Sequence, residues 1–160
     1  MKTPKRESVP DLWRISPFKD LSGKGGYFAA GRWHTQGRPI SYLAGTPTGA
    51  MLETLVHLDL PEGSEPPETY QLLRAHFDDE VSLIELTDDE LQDDWEENTE
   101  YTQELGNQWL SEGQSLLLRI PSRVMPYSNN YLLNPEHPDA ELAKVEAQEF
   151  PYDPRLLKNR

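Results

Sequence analysis

Pro39-Ile40-Ser41-Tyr42-Leu43-Ala44-Gly45-Thr46-Pro47-Thr48-Gly49-Ala50-Met51-Leu52-Glu53-Thr54-Leu55-Val56-His57-Leu58 reads as a strand running straight into a helix. Residues 39–44 are the strand. Thr46 is the N-cap, and Pro47 takes the first helical position, where its missing N–H is not needed. Pro61 is expected to end the helix. Glu53 is the single acid in the otherwise apolar run 49–58. Carboxylates seldom enter such surroundings unless they are paired or put to use. His57 follows one turn later on the same face, in a structural or orienting role. A candidate partner lies upstream in Gly31-Arg32-Trp33. Glycine lets the backbone approach a ligand, and the planar fork of arginine suits phosphate or carboxylate. The pair reads either as an anion site with a working carboxylate or as an ordinary structural salt bridge.

Outward from this stretch, strands are expected over 12–15, 70–77, 81–86, 115–120 and 145–150. A helix is expected over 99–111, with Leu105, Trp109 and Leu110 facing inward and Gly113 as its stop. Thr87-Asp88-Asp89-Glu90 has the form of a capping box opening an acidic helix, and Pro138 starts a short one. Residues 1–10 are expected to be loose, and Ser22-Gly23-Lys24-Gly25-Gly26 a flexible loop. The elements mix without a regular βαβ beat, which predicts an α+β fold. At 160 residues the chain is read as a single domain over 1–160, with its core over about 12–157.

The charge excludes some functions. With 28 acids against 15 lysines and arginines the chain carries -13, so direct nucleic-acid binding is not expected. The acids crowd into 78–104, either as a solvated face or as an attractor for a basic partner protein. No run approaches the roughly 18 apolar residues of a membrane span, and no secretory signal is visible. There are no cysteines, which removes disulfides, thiolate zinc sites and a cysteine nucleophile, and points to a reducing cytoplasm. His34, His57, His76 and His137 are too dispersed for a helical metal site, so no metal is expected. The Ser22–Gly26 loop matches neither a Walker nor a Rossmann spacing. Ser122 lacks a Gly-x-Ser-x-Gly elbow and, after Pro121, reads locally as a turn residue.

In order, Gly31-Arg32-Trp33, Gly37, Tyr42-Leu43-Ala44 and Leu52-Glu53 with Leu55-Val56-His57 resemble the N-terminal half of the RES domain, a family named for its arginine, glutamate and serine. The second half follows in Leu105-Gly106, Trp109-Leu110, Ser115, Leu118 and Ile120-Pro121-Ser122-Arg123-Val124. Asn130-Tyr131-Leu132-Leu133-Asn134-Pro135, His137-Pro138, Phe150 and Asp153-Pro154-Arg155-Leu156 complete it. The likeness covers residues 12 to 157. It departs from the family pattern at Lys24, where an acid is expected, and at Arg123, where a small residue is usual.

The resemblance implies a bacterial, cytoplasmic toxin of a toxin–antitoxin pair that depletes NAD, with a split β-sheet like that of ADP-ribosyltransferase toxins. It implies an Xre-type helix-turn-helix antitoxin that blocks the site, and a toxin homodimer within the complex. NAD is then the substrate and no cofactor is needed. Arg32, Glu53 and Ser122 take the catalytic positions, and Arg32, Tyr42, Ser122 and Asn130 the substrate contacts. The chemistry is that of a glycohydrolase or phosphorylase, passing through an oxocarbenium-like transition state. An ADP-ribosyltransferase acting on a protein is the close alternative. A noncatalytic nucleotide- or partner-binding module and a nuclease toxin are readings from other classes.

Overall fold

The computed structural model describes residues 1–58 and 63–158, and among these described residues there are eight strands and four α-helices. Eight strands form one sheet: β1 (Lys5–Glu7), β2 (Leu12–Ile15), β3 (Ser41–Ala44), β4 (Thr69–His76), β5 (Val81–Glu85), β6 (Leu117–Pro121), β7 (Asn129–Leu133) and β8 (Lys144–Pro151). Their order is β1-β5-β6-β7-β3-β2-β4-β8, antiparallel throughout except for β5 against β6. Four helices accompany them: α1 (Gly25–Phe28), α2 (Pro47–His57), α3 (Thr99–Glu112) and α4 (Pro154–Leu157).

Connectivity forces the sheet to curl. β4 and β5 are consecutive in the chain yet five places apart in the sheet, about 24 Å if it were flat at the usual strand spacing. The link from His76 to Val81 spans at most about 18 Å when extended. The two ends therefore bend toward each other, and the space between them is core. Leu73, Ala75 and Phe77 meet Val81, Leu83, Leu117 and Leu133 there, with Leu12 beneath. The opposite face of β5–β7 turns Ile84, Leu118, Ile120 and Leu132 toward Trp33, Trp95 and Trp109. Alternate residues of one strand thus enter different cores, as the two-residue pleat requires.

The sheet is also split. β2 and β3 share one register pair, Trp13 with Ala44, whereas β4 and β8 share eight. The five strands β1-β5-β6-β7-β3 and the three strands β2-β4-β8 are thus joined through a single register pair. The cleft described below opens there.

Several expected elements change form. Residues 1–10 are not loose throughout: β1 pairs with β5, Arg119 pairs with both Glu7 and Glu85, and Lys2 Nζ donates to Glu90 Oε1 at 2.5 Å. The expected acidic helix is a single 3-10 turn, Asp88–Glu90, with its capping box in place. Burial of Leu91 and Trp95 then draws the chain back onto the core, so no longer helix develops. The glycine loop gives way to the one-turn α1. α2 has the expected Thr46 cap, whose Oγ1 accepts from the Gly49 N–H at 2.9 Å. Its last helical residue is His57, and the expected stop, Pro61, lies outside the described residues.

An exposed charge cluster at the β4–β8 edge gives a pH prediction. Asp11 accepts from Arg74 Nε and faces His76 Nδ1, both at 2.6 Å, while Asp78 Oδ1 faces His76 Nε2 at 3.1 Å. The bond to Asp11 raises the His76 pKa above its ordinary 6.5, and the bond to His76 lowers that of Asp11 below 3.8. A raised histidine contributes stability that is complete below its unfolded value and is lost as pH rises through its folded value. A lowered carboxylate contributes above its unfolded value and loses that as pH falls. The cluster is thus fully stabilising between about pH 4 and 6.5. Thermal unfolding should show a slight fall in Tm from pH 6 to 8.5, small because the groups are exposed. His76→Gln should flatten that fall; an equal fall in the variant would assign it elsewhere.

Candidate active site

At the seam of the split sheet lies a cleft of about 530 Å³, within the range of small-molecule and cofactor sites. β2 and β3 contribute one wall, α2 another, and the ends of β6 and β7 a third. This placement explains the composition of α2. Of its apolar residues only Ala50 and Leu55 are buried, while Val56 is half exposed. Ala50, Glu53, Thr54, Val56 and His57 line the cleft, with Leu58 just past the helix end, so one face of the helix is a wall of the site.

Glu53 points into that cleft with its side chain 27% exposed. Its Oε1 accepts from Ser122 Oγ at 3.0 Å and from Asn130 Nδ2 at 2.9 Å. His57 Nε2 stands 3.8 Å from Oε2. One carboxylate oxygen is therefore saturated by neutral donors and the other is turned toward His57. Ser122 is fixed in turn, since its Oγ accepts from the N–H groups of Val124 and Met125, both at 3.2 Å. The turn reading of Ser122 and its site role are thus one geometry: the turn aims the hydroxyl at Glu53. Asn130, expected against substrate, also orients the carboxylate.

Of the two readings of Arg32, the structural salt bridge with Glu53 is the one the geometry does not form. Arg32 lines the cleft but makes no ion pair with Glu53 among the described residues; its Nη1 donates to the Trp95 carbonyl at 3.4 Å. Burial is the main cause of its lowered pKa, and the nearby Arg123 adds to it.

Tyr42 offers its ring to the cleft and its hydroxyl to the arginine turn. The hydroxyl accepts from the Trp33 N–H at 3.1 Å and lies 2.7 Å from His34 Nδ1. His34 Nε2 is 2.9 Å from the Ala29 carbonyl, which only accepts, so Nε2 carries the proton. Burial lowers the His34 pKa and favours the neutral ring, leaving Nδ1 to accept from Tyr42. Burial likewise raises the Tyr42 pKa and keeps the phenol protonated. A Cβ on Gly31 would stand 2.5 Å from that hydroxyl, so the turn needs glycine here. Tyr42→Phe should leave the Trp33 N–H without its partner and cost about 1–3 kcal/mol. A denaturant midpoint equal to wild type would refute that role.

α3 holds the same turn from behind. Thr102 Oγ1 donates to the Arg32 carbonyl at 2.6 Å, and Gln103 Nε2 to the Gly31 carbonyl at 2.9 Å. The structure thus gathers Arg32, Tyr42, Glu53, Ser122 and Asn130 around one cleft, Ser122 through its bond to Glu53. Two cleft arginines were not among the expected site residues. The side chain of Arg14 on β2 has no hydrogen bond or ion pair among the described residues, and burial lowers its pKa. Arg123 was visible only as a departure from the family pattern. The available signal for Arg14 was a long cation on a short strand between Trp13 and Ile15.

The RES domain model matches residues 11–155 of this chain. The protein belongs to the RES domain toxin family. Among RES domain relatives, the Toxin Res of Pseudomonas putida KT2440 is 48% identical over 91% of this chain and 99% of its own. The Prs ADP-ribosylating toxin of Sphingobium sp. YBL2 is 35% identical over 92% and 96%. The fold is similar to a chain of the M. tuberculosis MbcT–MbcA toxin–antitoxin complex, with a TM-score of 0.74 over 96% of this chain and 89% of that one. At 17% identity this likeness speaks for the fold alone.

Proposed function

We propose that this RES domain protein is the toxin of a bacterial toxin–antitoxin pair and that it depletes NAD by breaking the bond between ribose and nicotinamide. The observation that carries this reading is Glu53: a carboxylate oriented by Ser122 and Asn130 in a cleft lined by three arginines. In that reaction nicotinamide leaves with the bonding electron pair and the ribose C1 becomes cationic. A pre-oriented carboxylate beside it stabilises the charge as it develops, in a site partly shielded from water. Arginine suits the pyrophosphate, and the Tyr42 ring suits the flat nicotinamide.

The acceptor then gives a lone pair to C1. Water yields ADP-ribose and releases its proton; phosphate yields the phosphorylated analogue. A protein side chain as acceptor is the second reading, favoured by the ADP-ribosylating activity named for the Sphingobium relative. Incubating the purified protein with NAD, with and without phosphate, and identifying the products by mass spectrometry separates these outcomes. Intact NAD under all conditions would sink the reading.

The partner in this proposal is an Xre-type helix-turn-helix antitoxin, with two toxin copies in the complex. The antitoxin in the structurally similar complex supports an antitoxin partner, while its Xre type and the two toxin copies follow from the family resemblance. A net charge of -13 suits a toxin that leaves DNA contacts to its antitoxin. The reaction would take place in the bacterial cytoplasm, where NAD is available. Coexpression should yield a stable complex that does not consume NAD.

A further inference from the structure

Arg119, Arg74, Arg6 and Arg155 each pair with a carboxylate. Arg14, Arg32 and Arg123 form no ion pair among the described residues, and all three line the cleft. Arg38 also lacks an ion pair among the described residues, but it lies outside the cleft and donates to the Asn107 carbonyl and Ser111 Oγ; in a chain with 28 acids, the three arginines gathered in the cleft call for an anion from outside.

Two of them are held as a pair. Arg123 Nε donates to the Glu96 carbonyl at 2.6 Å, and Arg32 Nη1 donates to the neighbouring Trp95 carbonyl at 3.4 Å. Successive carbonyls of one turn thus anchor both side chains from the same side. Neutral anchors leave neither guanidinium in an ion pair among the described residues, and Arg123 is the strongest single charge acting on Arg32, ahead of Glu97, Glu53 and Glu96, which oppose it. The turn is itself anchored, because Trp95 Nε1 donates to Asp88 Oδ1 at 3.1 Å and the Trp95 ring packs on Trp33.

We propose that Arg123 acts with Arg32 as a two-guanidinium clamp for a phosphoryl group bound in the cleft. The proposal rests on the NAD reading for the identity of that group, which is either the pyrophosphate of the dinucleotide or a free phosphate acceptor. Arg123 is a binding residue of this chain and takes no part in breaking the glycosidic bond. Its residue is exposed at the cleft rim, so its removal leaves the core intact.

Binding of inorganic pyrophosphate, followed by calorimetry in phosphate-free buffer, reads the clamp without turnover. Arg123→Ala should bind about tenfold more weakly or worse, as expected for a lost charge-assisted bond. Arg123→Lys should recover part of that loss, since it keeps the charge but not the fork or the Nε anchor. Equal affinity in wild type and Arg123→Ala overturns the proposal. Kinetics then assign the phosphoryl group. A KM for NAD raised about tenfold, with kcat changed far less, assigns it to the pyrophosphate. An unchanged KM for NAD with a weakened response to added phosphate assigns it to the acceptor. Wild-type saturation by both overturns the clamp. A wild-type protein that binds pyrophosphate through Arg123 yet leaves NAD intact would refute the NAD reading and leave the clamp standing.

Discussion

Glu53→Gln is expected to lower NAD cleavage by about 10²–10³-fold while leaving the fold in place. The substitution is nearly isosteric. The glutamine carbonyl oxygen can still accept from Ser122 Oγ and Asn130 Nδ2, the two bonds that hold Oε1. The amide replaces Oε2, which stands 3.8 Å from His57 Nε2. That side chain is exposed, so little stability depends on the pair. The unfolding free energy should therefore change by less than about 1 kcal/mol. Only the negative charge disappears, and charge is what stabilises a developing oxocarbenium ion. NAD binding through the arginines should persist, so the loss belongs in kcat more than in KM. Wild-type turnover in the variant would remove Glu53 from the reaction.

Gly106→Ala should destabilise the protein by about 3 kcal/mol, with Tm lowered by about 6–12 °C. In an exposed helix the same change stabilises by about 1 kcal/mol, so even the sign is diagnostic. α3 crosses the arginine turn so closely that a Cβ on Gly106 would lie 1.7 Å from the Trp33 carbonyl oxygen and 2.7 Å from its carbon. Both are backbone atoms, and the Trp33 ring is itself buried at 2% exposure, so neither side yields cheaply. Relief requires α3 to lift away, which would strain the Thr102 and Gln103 bonds that hold Arg32 and Gly31. The fraction that remains folded should also bind NAD more weakly. A thermal unfolding curve at or above the wild-type Tm would show that this contact is not where the structure places it.

Much of this architecture is legible in the chain. Thr46-Pro47 marks the start of α2, Gly113 stops α3 in the left-handed conformation, and Leu116-Leu117-Leu118 reads as a strand buried on both faces. These are local signals, carried by capping, glycine and apolar runs. The curl of the sheet is not local: it follows from the short link between β4 and β5, whose partners lie far away in sequence. The loose N-terminus was misread for the same reason, because β1 is held by Arg119 and Val81-Ser82-Leu83 rather than by its neighbours. At the site, local residue chemistry singles out Glu53 and Arg32, the family resemblance adds Tyr42, Ser122 and Asn130, and neither gives their bonds. Arg32 and Glu53 share the cleft without pairing, since backbone carbonyls hold the arginine and neutral side chains hold the acid. His34 reads in the sequence only as one of four dispersed histidines and Arg14 only as part of a strand; contact with Tyr42 and Ala29 gives the first its place, and burial against the cleft the second.

The central claim is that this cleft breaks the nicotinamide–ribose bond, whatever accepts the ADP-ribose. Release of labelled nicotinamide from NAD by the purified protein measures that step for every acceptor at once. The account predicts release of many equivalents per protein molecule, suppressed by the antitoxin and nearly absent in Glu53→Gln. No nicotinamide above the buffer blank from folded wild-type protein, given water, phosphate and a cell extract as acceptors, would contradict it.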